Sequence, residues 1–381
     1  QSIDTSGTTG KSKGVMLTHK NIAFNASKGK GIQEIGPKDR FLSILPLSHT
    51  YENTLGLILP LIGGATIYYL KKTPTPAILI PALKSVRPTM MLSVPLIIEK
   101  IYRNKILPKF ETSAIMRNLY KVPALRKQFN RLAGKKLMDT FGGKIKFFGI
   151  GGAKLDPVVE RFLKEAQFPY AIGYGLTETA PLLAGSNAAH TVLQSTGPTL
   201  DGVTLKIHNP DLQTGEGEIW AKGPNVMKGY YKEPELTDEV LTPDGWFRTG
   251  DLGVFDQHGN LFIKGRLKNV IVGASGENIY PEEIEAVINN FRYVLESLVI
   301  EQKGKLVALV HLNQDELEKH YQHFKAEISN YAGRKIDELK QELKQYINEK
   351  VSRFSRVQVV MIQPEPFQKT ATHKIKRFLY K

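Results

Sequence analysis

The stretch that decides the fold stands close to the first residue and reads Thr5-Ser6-Gly7-Thr8-Thr9-Gly10-Lys11-Ser12-Lys13-Gly14. Its composition suits a polyphosphate, because glycines let backbone N–H groups approach the oxygens, hydroxyls donate hydrogen bonds and ammonium groups neutralise charge. The obvious alternative is a Walker A loop, whose end Gly10-Lys11-Ser12 would supply. That motif needs a glycine five residues before Gly10, where Thr5 stands instead, so the Walker interpretation fails.

Chain length and composition bound the kind of protein. At 381 residues the chain is too long for one ordinary core, so two or three domains are expected. Its 41% apolar and 23% charged residues are typical of soluble globular proteins. The sequence has no cysteine, which excludes disulfides, thiolate metal sites and a cysteine nucleophile. This agrees with a reducing compartment, and a cytoplasmic location is expected.

The most apolar segment, Leu55–Leu70, reads LGLILPLIGGATIYYL. It is shorter than the roughly 20 residues that a membrane-spanning helix needs, and Pro60 and Gly63-Gly64 interrupt it. We therefore predict a buried helix, a glycine stop and a buried strand, with no transmembrane segment.

The formal charge of +15 is concentrated between Ile101 and Lys146. Only Glu111 and Asp139 oppose the basic residues there, which are Arg103, Lys105, Lys109, Arg117, Lys121, Arg126, Lys127, Arg131, Lys135, Lys136, Lys144 and Lys146. Such a patch suits phosphates on coenzyme A, nucleic acid or anionic lipid, but a solvated helical face explains it equally well. Few aromatic residues are interleaved with the charges, so nucleic acid is disfavoured.

Three segments differ in pattern. In residues 1–185, helical patterns alternate with four short apolar runs, at 41–45, 65–70, 89–93 and 145–150. This alternation predicts an α/β fold whose mostly parallel sheet has helices on both faces. Residues 186–264 have glycine-rich turns and short strands at 217–221 and 259–263, which predicts a small β subdomain. Residues 265–381 predict a compact α+β domain, with a helix from about Pro281, a strand at 306–312, a helical stretch at about 314–351 and a strand at 357–362.

Four later segments identify the opening loop. They are Gly151-Gly152-Ala153, Gly173–Thr179 (GYGLTET), Gly245–Gly253 (GWFRTGDLG) and Gln368–Arg377 (QKTATHKIKR). With Thr5–Gly14, they resemble in order and spacing the core motifs of the adenylate-forming, or AMP-binding, superfamily. The departures are Ser12, where the family usually has proline, and His373, where glycine is common. The resemblance implies a large α/β lobe with a small β-barrel-like subdomain, followed by a small, mobile α+β C-terminal domain.

The same resemblance implies an ATP site with Mg²⁺. The phosphates would lie against Thr5, Ser6, Gly7, Thr8, Thr9, Gly10 and Lys13. Thr177 would touch the α-phosphate, while Glu178, with Thr5, would hold Mg²⁺, a cation that prefers hard oxygen ligands.

The adenosine would be bound by the segments after the phosphate loop. Tyr174 would stack on adenine, and Asp251 would accept hydrogen bonds from the ribose hydroxyls with Arg266 as its partner. The full adenine and ribose set implied is Gly151, Gly152, Ala153, Tyr174, Gly175, Asp251 and Arg266.

The C-terminal domain would carry the remaining roles. Lys374 would reach the carboxylate and the α-phosphate during adenylation, so Lys374, Glu178 and Thr177 are the predicted catalytic residues. Lys268 occupies the hinge position of the family, and Ser275, Gly276 and Glu277 would contact coenzyme A.

The subgroup is indicated by two further segments. Pro46–Glu52 (PLSHTYE) and Gly276–Glu285 (GENIYPEEIE) resemble long-chain fatty acid–CoA ligases, which places His49 beside the acyl carbonyl. The implied reaction activates a fatty acid to acyl-AMP with release of pyrophosphate, and then transfers the acyl group to coenzyme A. The basic segment, residues 101–146, is similar to the part of long-chain members that approaches a membrane, so peripheral contact with anionic lipid is a hypothesis.

Other interpretations remain open. An acyl–acyl-carrier-protein synthetase uses the same motifs, whereas a peptide-synthetase adenylation domain is disfavoured by the long-chain-like segments. Family members carry a long segment before the phosphate loop, and here only Gln1–Asp4 precede Thr5. The chain is therefore expected to be a fragment or a truncated product that binds ATP weakly alone, or an inactive piece, unless a separate polypeptide completes the lobe.

Overall fold

The computed structural model describes residues 2–6, 12–111, 113–273, 277–313, 317, 330–369 and 375–380. Residues Lys13–Ile263 form one compact unit, and Lys264–Lys381 form a second. The predicted division at residues 185 and 264 into lobe, subdomain and mobile domain stays a prediction.

A six-stranded sheet organises the first unit, in the order β4-β3-β5-β6-β7-β8. Its strands are β3 (Arg40–Ser43), β4 (Thr66–Tyr69), β5 (Met90–Ser93), β6 (Phe147–Ile150), β7 (Tyr170–Gly175) and β8 (Leu182–Gly185). The first five are parallel, and β8 runs antiparallel to β7. The prediction of a mostly parallel sheet is confirmed, and all four predicted apolar runs contain strands.

Helices cover both faces of this sheet. Alternate residues of a strand point to opposite faces. In β5, accordingly, Met90 and Leu92 pack in one buried cluster and Met91 in another. The Met90 face is covered by α1 (His19–Ile32), a π-helical segment (Tyr51–Ile58) and α2 (Leu59–Gly63). The Met91 face is covered by α3 (Pro76–Val86), α4 (Pro95–Ile101), α7 (Pro123–Thr140) and α8 (Pro157–Glu165).

The segment Leu55–Leu70 forms the predicted helix, glycine stop and strand. The glycine stop is Gly64, whose φ of 72° gives α2 a left-handed C-cap. The prediction that the strand is buried is wrong, because β4 lies at the edge of the sheet. Tyr68 and Tyr69 there are 37% and 50% exposed. Apolar composition alone does not distinguish an edge strand from a central one.

The basic segment is helical. After α4 it continues through a π-helical turn (Tyr102–Ile106), α5 (Leu107–Glu111), α6 (Ala114–Lys121) and α7. Ser113 caps α6 by accepting a hydrogen bond of 3.1 Å from the backbone N–H of Met116. Across the described ranges, no helix is both long enough and apolar enough to cross a membrane.

Two smaller sheets have most of their residues in the first unit. One has the order β1-β2-β11 and contains β1 (Ser2–Ser6), β2 (Ser12–Met16) and β11 (Gly229–Tyr230). Strand β1 thus includes Thr5 and Ser6, the first two residues of the opening loop. The other has the order β13-β12-β10-β9 and contains β9 (Thr204–His208), β10 (Gly217–Lys222), β12 (Phe247–Phe255) and β13 (Leu261–Arg266). The strands predicted at 217–221 and 259–263 are confirmed, and a short helix, α9 (Pro234–Val240), lies between β11 and β12.

The second unit has its own core. A three-stranded sheet contains β16 (Val294–Gln302), β17 (Lys305–Leu312) and β18 (Val359–Ile362). It packs with α10 (Pro281–Ile288) and α11 (Asn330–Asn348), and a short hairpin of β14 (Ile271–Val272) and β15 (Asn278–Ile279) precedes α10. The predicted α10, β17 and β18 are confirmed. The predicted helical stretch from 314 is helical over Asn330–Asn348, and most of its first half lies outside the described residues.

Candidate active site

Tyr174 and Asp251 form the best-defined polar pair of the first unit. The Tyr174 hydroxyl, at the end of β7, donates a hydrogen bond of 2.9 Å to Oδ2 of Asp251 on β12. Both residues are buried, at 9% and 5% exposure. Thr249 accepts a hydrogen bond of 3.1 Å from the backbone N–H of Asp251 and donates one of 2.7 Å to the Ile219 carbonyl. The carboxylate predicted to bind ribose is therefore held in place beside the ring predicted to bind adenine.

Glu178 lies three residues beyond β7, in a 3-10 turn formed by Thr177–Thr179. The Tyr230 hydroxyl donates a hydrogen bond of 2.8 Å to its Oε1, and the Met227 backbone N–H donates one of 2.8 Å to its carbonyl. Thr177 and Glu178 are half-buried. A carboxylate in this setting can still reach a hard cation, and its partner Tyr230 was not predicted from the sequence.

Lys13 joins the same cluster. Its ammonium group lies 4.7 Å from the centroid of the Tyr230 ring, a cation–π distance. The adjoining backbone is fixed, because the Tyr231 N–H donates 2.8 Å to the carbonyl of Gly14. The last lysine of the opening loop and the predicted Mg²⁺ ligand Glu178 thus contact the same tyrosine.

The glycines of the predicted adenine site lie at the carboxyl end of the parallel strands. Gly151, Gly152 and Ala153 follow β6, and Gly175 ends β7 beside it. A Cβ atom on Gly175 would lie 1.9 Å from the carbonyl oxygen of Pro181, so no larger residue fits without moving the backbone. Ligands of open α/β sheets bind at this edge.

An apolar cavity of about 60 Å³ opens between this sheet and the helices on its Met90 face. Leu55 and Leu59 line one side, and Phe41, Met90, Leu92 and Phe147 line the other. Tyr51 lines it as well, and its ring lies so close to Gly151 that a Cβ there would be 3.1 Å from the ring. Burial raises the pKa of the Tyr51 hydroxyl, so this side chain stays neutral. The cavity therefore ends beside the loop that follows β6.

His49 begins the turn that leads into the π-helical segment. Burial lowers the pKa of its imidazole, because the charged form is the one that loses hydration. His49 is therefore neutral at pH 7.

Glu52 was missed by the sequence reasoning. It is 1% exposed, and Ser43 donates a hydrogen bond of 2.5 Å to its Oε1, while its Oε2 has no hydrogen-bond partner among the described residues. Burial raises its pKa to about 7. Its burial could not be predicted, because it follows from a π-helical turn that has no local signature in the sequence.

Part of the predicted site is not described. Gly7, Thr8, Thr9, Gly10, Ser275, Gly276 and Lys374 lie outside the described residues. Thr5 and Ser6 belong to β1, and only their backbone is described. Arg266, Lys268 and Glu277 belong to the second unit, with Lys268 in a 3-10 turn formed by Leu267–Asn269. The roles assigned to all these residues stay predictions.

Glu178 and Thr5 are the residues predicted to hold Mg²⁺. Among the residues that the structure describes, no group of three histidine or acidic side chains is placed to hold a metal ion. Mg²⁺ in nucleotide sites is usually bound by one or two carboxylates, substrate phosphates and water. The single carboxylate of Glu178 fits that mode of binding.

Comparison with known proteins places these features in context. Residues 3–231 match a family model described as AMP-binding enzyme. The long-chain-fatty-acid–CoA ligase heimdall of Drosophila melanogaster is 33% identical over 310 residues, which cover 75% of this chain and 45% of that protein. The chloroplastic long-chain-fatty-acid–acyl-carrier-protein ligase AEE15 of Arabidopsis thaliana is 30% identical over 383 residues, covering 83% and 51%. The chain spans about half the length of these curated relatives.

The fold has solved counterparts. The o-succinylbenzoate coenzyme A synthetase of Bacillus subtilis, in complex with ATP and magnesium ion, matches with a TM-score of 0.75 and 25% identity. The match covers 99% of this chain and 68% of that one. The predicted fold class, a large α/β lobe followed by a smaller α+β domain, is confirmed.

Proposed function

The chain belongs to the AMP-binding enzyme family, and from that membership we propose that it activates a fatty acid with ATP and then passes the acyl group to coenzyme A. The observation that carries this proposal is the Tyr174–Asp251 pair, placed at the carboxyl edge of the parallel sheet in the same unit as Glu178. An aromatic ring suits a purine, and a fixed carboxylate suits ribose hydroxyls.

In the first half-reaction a carboxylate oxygen of the acid forms a bond to the α-phosphorus, and the bond from that phosphorus to pyrophosphate breaks. Negative charge grows on the phosphate oxygens. Lys374 and the Thr5–Lys13 loop are proposed to stabilise it. Glu178 is proposed to hold Mg²⁺, which when bound would neutralise negative charge on the phosphates. Neutral His49 and Tyr51 add no charge near the acyl group.

In the second half-reaction a thiol attacks the acyl carbon, and AMP leaves with the electron pair of the broken anhydride bond. Lys268 is proposed as the hinge residue, and Ser275, Gly276 and Glu277 as contacts for coenzyme A. No side chain of this protein has to become a covalent nucleophile, which accords with its lack of cysteine.

The apolar cavity supports an acid with a hydrocarbon tail. Its lining is almost wholly apolar, and Tyr51 connects it to the loop at Gly151. Its 60 Å³ is well below the roughly 300–1,000 Å³ of typical ligand pockets. A long acyl chain therefore requires the lining side chains to move, and the mobile boundary is proposed to be the π-helical segment that carries Leu55.

A second candidate function is acyl transfer to a carrier protein. It is favoured by the similarity to the acyl-carrier-protein ligase of Arabidopsis thaliana and by the basic segment, because acidic carrier proteins bind basic surfaces. The same segment is proposed to contact anionic membranes, and a cytoplasmic location is proposed with it. Sedimentation with anionic liposomes that shows no salt-sensitive binding would rule the membrane contact out.

The deciding experiment is ATP–pyrophosphate exchange with a series of fatty acids of increasing chain length. We expect acid-dependent exchange that is lost in Lys374→Ala and retained in Lys376→Ala, which removes a charge two residues away. Absence of exchange with every acid would instead identify an inactive piece. Comparison of coenzyme A with an acyl carrier protein as acceptor then separates the two functions.

A further inference from the structure

A second cavity lies on the other face of the parallel sheet. Its volume is about 310 Å³, and Tyr102 and Phe162 line it. Both residues pack in the cluster that contains Met91, whereas Met90 and Leu92 line the cavity beside Tyr51. The two cavities are therefore separated by the sheet, and the second one is distinct from the proposed acyl site.

One part of this cavity is apolar. Tyr102 and Phe162 are buried, with ring centroids 5.1 Å apart, and they form its floor. Val158, in the first turn of α8, is 40% exposed and forms part of the rim. This apolar surface can contact the hydrocarbon part of a ligand, which a bare ion lacks.

The side of the cavity opposite Tyr102 and Phe162 consists of polar side chains that are hydrogen-bonded to one another. Arg126 forms a two-pronged contact with Glu165, with Nε 3.0 Å from Oε2 and Nη2 2.7 Å from Oε1. Asn130 donates 2.7 Å to the same carboxylate, and Tyr120 donates 2.8 Å to Asn130. Because every member is tied to its neighbour, the wall is fixed before any ligand arrives.

The charge of this site is positive. Lys121, Arg126 and Arg161 line the cavity, and the carboxylate that faces them is that of Glu165, bound by Arg126. At the start of α8, Arg103 lies 3.2 Å from Asp156, and Glu99 accepts a hydrogen bond of 3.0 Å from the Asp156 backbone N–H, so Arg103 is already balanced by acidic side chains that do not line the cavity. Two positive charges are thus left over, within a segment that is itself strongly basic.

We propose that this cavity is a second binding site, for an organic phosphate whose phosphate group is held by Lys121 and Arg161 and whose apolar portion packs on Tyr102 and Phe162. Arginine and lysine are the usual partners of phosphate, and the aromatic floor favours an ester that carries hydrocarbon over free phosphate. A lipid phosphate and a soluble phosphate ester share this chemistry.

The test uses the whole chain and isothermal titration calorimetry. The probes are dihexanoyl phosphatidate below its micelle concentration, inorganic phosphate, and phosphatidylcholine vesicles with and without long-chain phosphatidate. We expect saturable binding of dihexanoyl phosphatidate, weakened about tenfold or more by Lys121→Ala or Arg161→Ala. Val158→Phe fills the rim without changing charge and should weaken binding as well. Lys135→Ala removes an exposed charge of α7 that does not line the cavity, and it should leave binding unchanged.

Each other outcome overturns the proposal. Equal affinity for inorganic phosphate would show that the apolar floor contributes nothing. Binding to vesicles alone would show membrane contact without a pocket. An equal loss in Lys135→Ala would show that the response follows overall charge. Lys121, Val158 and Arg161 are exposed, so thermal unfolding of the variants is expected to match that of the parent chain and serves as the folding control.

Discussion

The Tyr174 hydroxyl lies 2.9 Å from Oδ2 of Asp251, and this hydrogen bond joins the parallel sheet to the antiparallel sheet that follows it. It places an aromatic ring and a carboxylate from strands 77 residues apart in one buried position. Tyr174→Phe keeps the ring and removes the bond, so the carboxylate loses its fixed orientation. We expect ATP affinity to fall by about tenfold, measured by calorimetry.

Two further variants test whether a loss of ATP affinity in Tyr174→Phe comes from this hydrogen bond. Asp251→Asn should weaken ATP binding more than Tyr174→Phe, because it removes the charged acceptor itself. Tyr68→Phe removes a hydroxyl from the edge strand β4 and should leave ATP affinity unchanged. An unaltered affinity in Tyr174→Phe would show that the hydrogen bond does not position the nucleotide.

The proposed role of Glu178 as a Mg²⁺ ligand, and its contact with Tyr230, predict that changes at either residue alter the Mg²⁺ concentration that the reaction requires. Glu178→Gln replaces the carboxylate that we propose as ligand, so the Mg²⁺ concentration that gives half-maximal pyrophosphate exchange should rise by at least about tenfold. Tyr230→Phe removes the hydrogen bond of 2.8 Å that orients Glu178, and its effect should be smaller and in the same direction. Tyr231→Phe, at the exposed neighbouring residue, is the matched control. A Mg²⁺ requirement that is the same in Glu178→Gln would place the metal elsewhere.

Glu52 predicts a pH dependence of stability. Its pKa is about 7 in the folded chain, against about 4.3 for an exposed glutamate, so the folded state holds this proton more tightly. The stabilisation is complete below about pH 4.3 and is lost as the pH rises to about 7. Glu285 is also buried and has a pKa of about 7, so the whole chain does not isolate Glu52.

The contribution of Glu52 is isolated by comparing the Glu52→Gln variant with the parent chain at each pH. The free energy of unfolding of Glu52→Gln minus that of the parent chain should increase between about pH 4.3 and 7, by at most about 4 kcal/mol, and stay level outside that range. Denaturant titrations at several pH values measure it. Glu34→Gln, at an exposed glutamate, should change the free energy of unfolding by less than about 0.5 kcal/mol. A difference that is level throughout would show that Glu52 titrates alike in the folded and unfolded states.

The sequence predicted the centre of the sheet better than its edge. Strands β3, β5 and β6 are buried on both faces and therefore read as continuous apolar runs. The run that ends at Leu70 has similar composition, and only the strand order shows that β4 is an edge strand. The π-helical segment Tyr51–Ile58 was not predicted, since a helix of this type differs from an α-helix only in hydrogen bonds that span five residues instead of four, and so short a stretch leaves no periodic signature.

The residues of the candidate site were likewise predictable from the sequence only in part. Tyr174, Glu178 and Asp251 could be picked out as candidates because they stand in segments that resemble motifs of the family. Their partners were missed, since Tyr230 lies 52 residues from Glu178 in sequence and nothing local marks it as the residue that contacts Glu178 and Lys13. Resemblance supplied the candidate residues, and only the structure shows their hydrogen-bond partners.

Gly175 provides a prediction that depends on space alone. In Gly175→Ala the new Cβ would lie 1.9 Å from the Pro181 carbonyl oxygen, which is backbone and cannot rotate away. The turn that carries Thr177 and Glu178 must shift, so we expect a loss of about 1–3 kcal/mol in the free energy of unfolding, together with weaker ATP binding. Gly31→Ala is the matched control, because a Cβ there meets nothing within 4 Å and the residue lies within α1. That variant should gain about 0.5–1 kcal/mol, as alanine does over glycine in a helix, and leave ATP affinity unchanged. Equal stability of the two variants in denaturant titrations would show that the backbone at Pro181 yields without cost, and that the turn tolerates a side chain at this position.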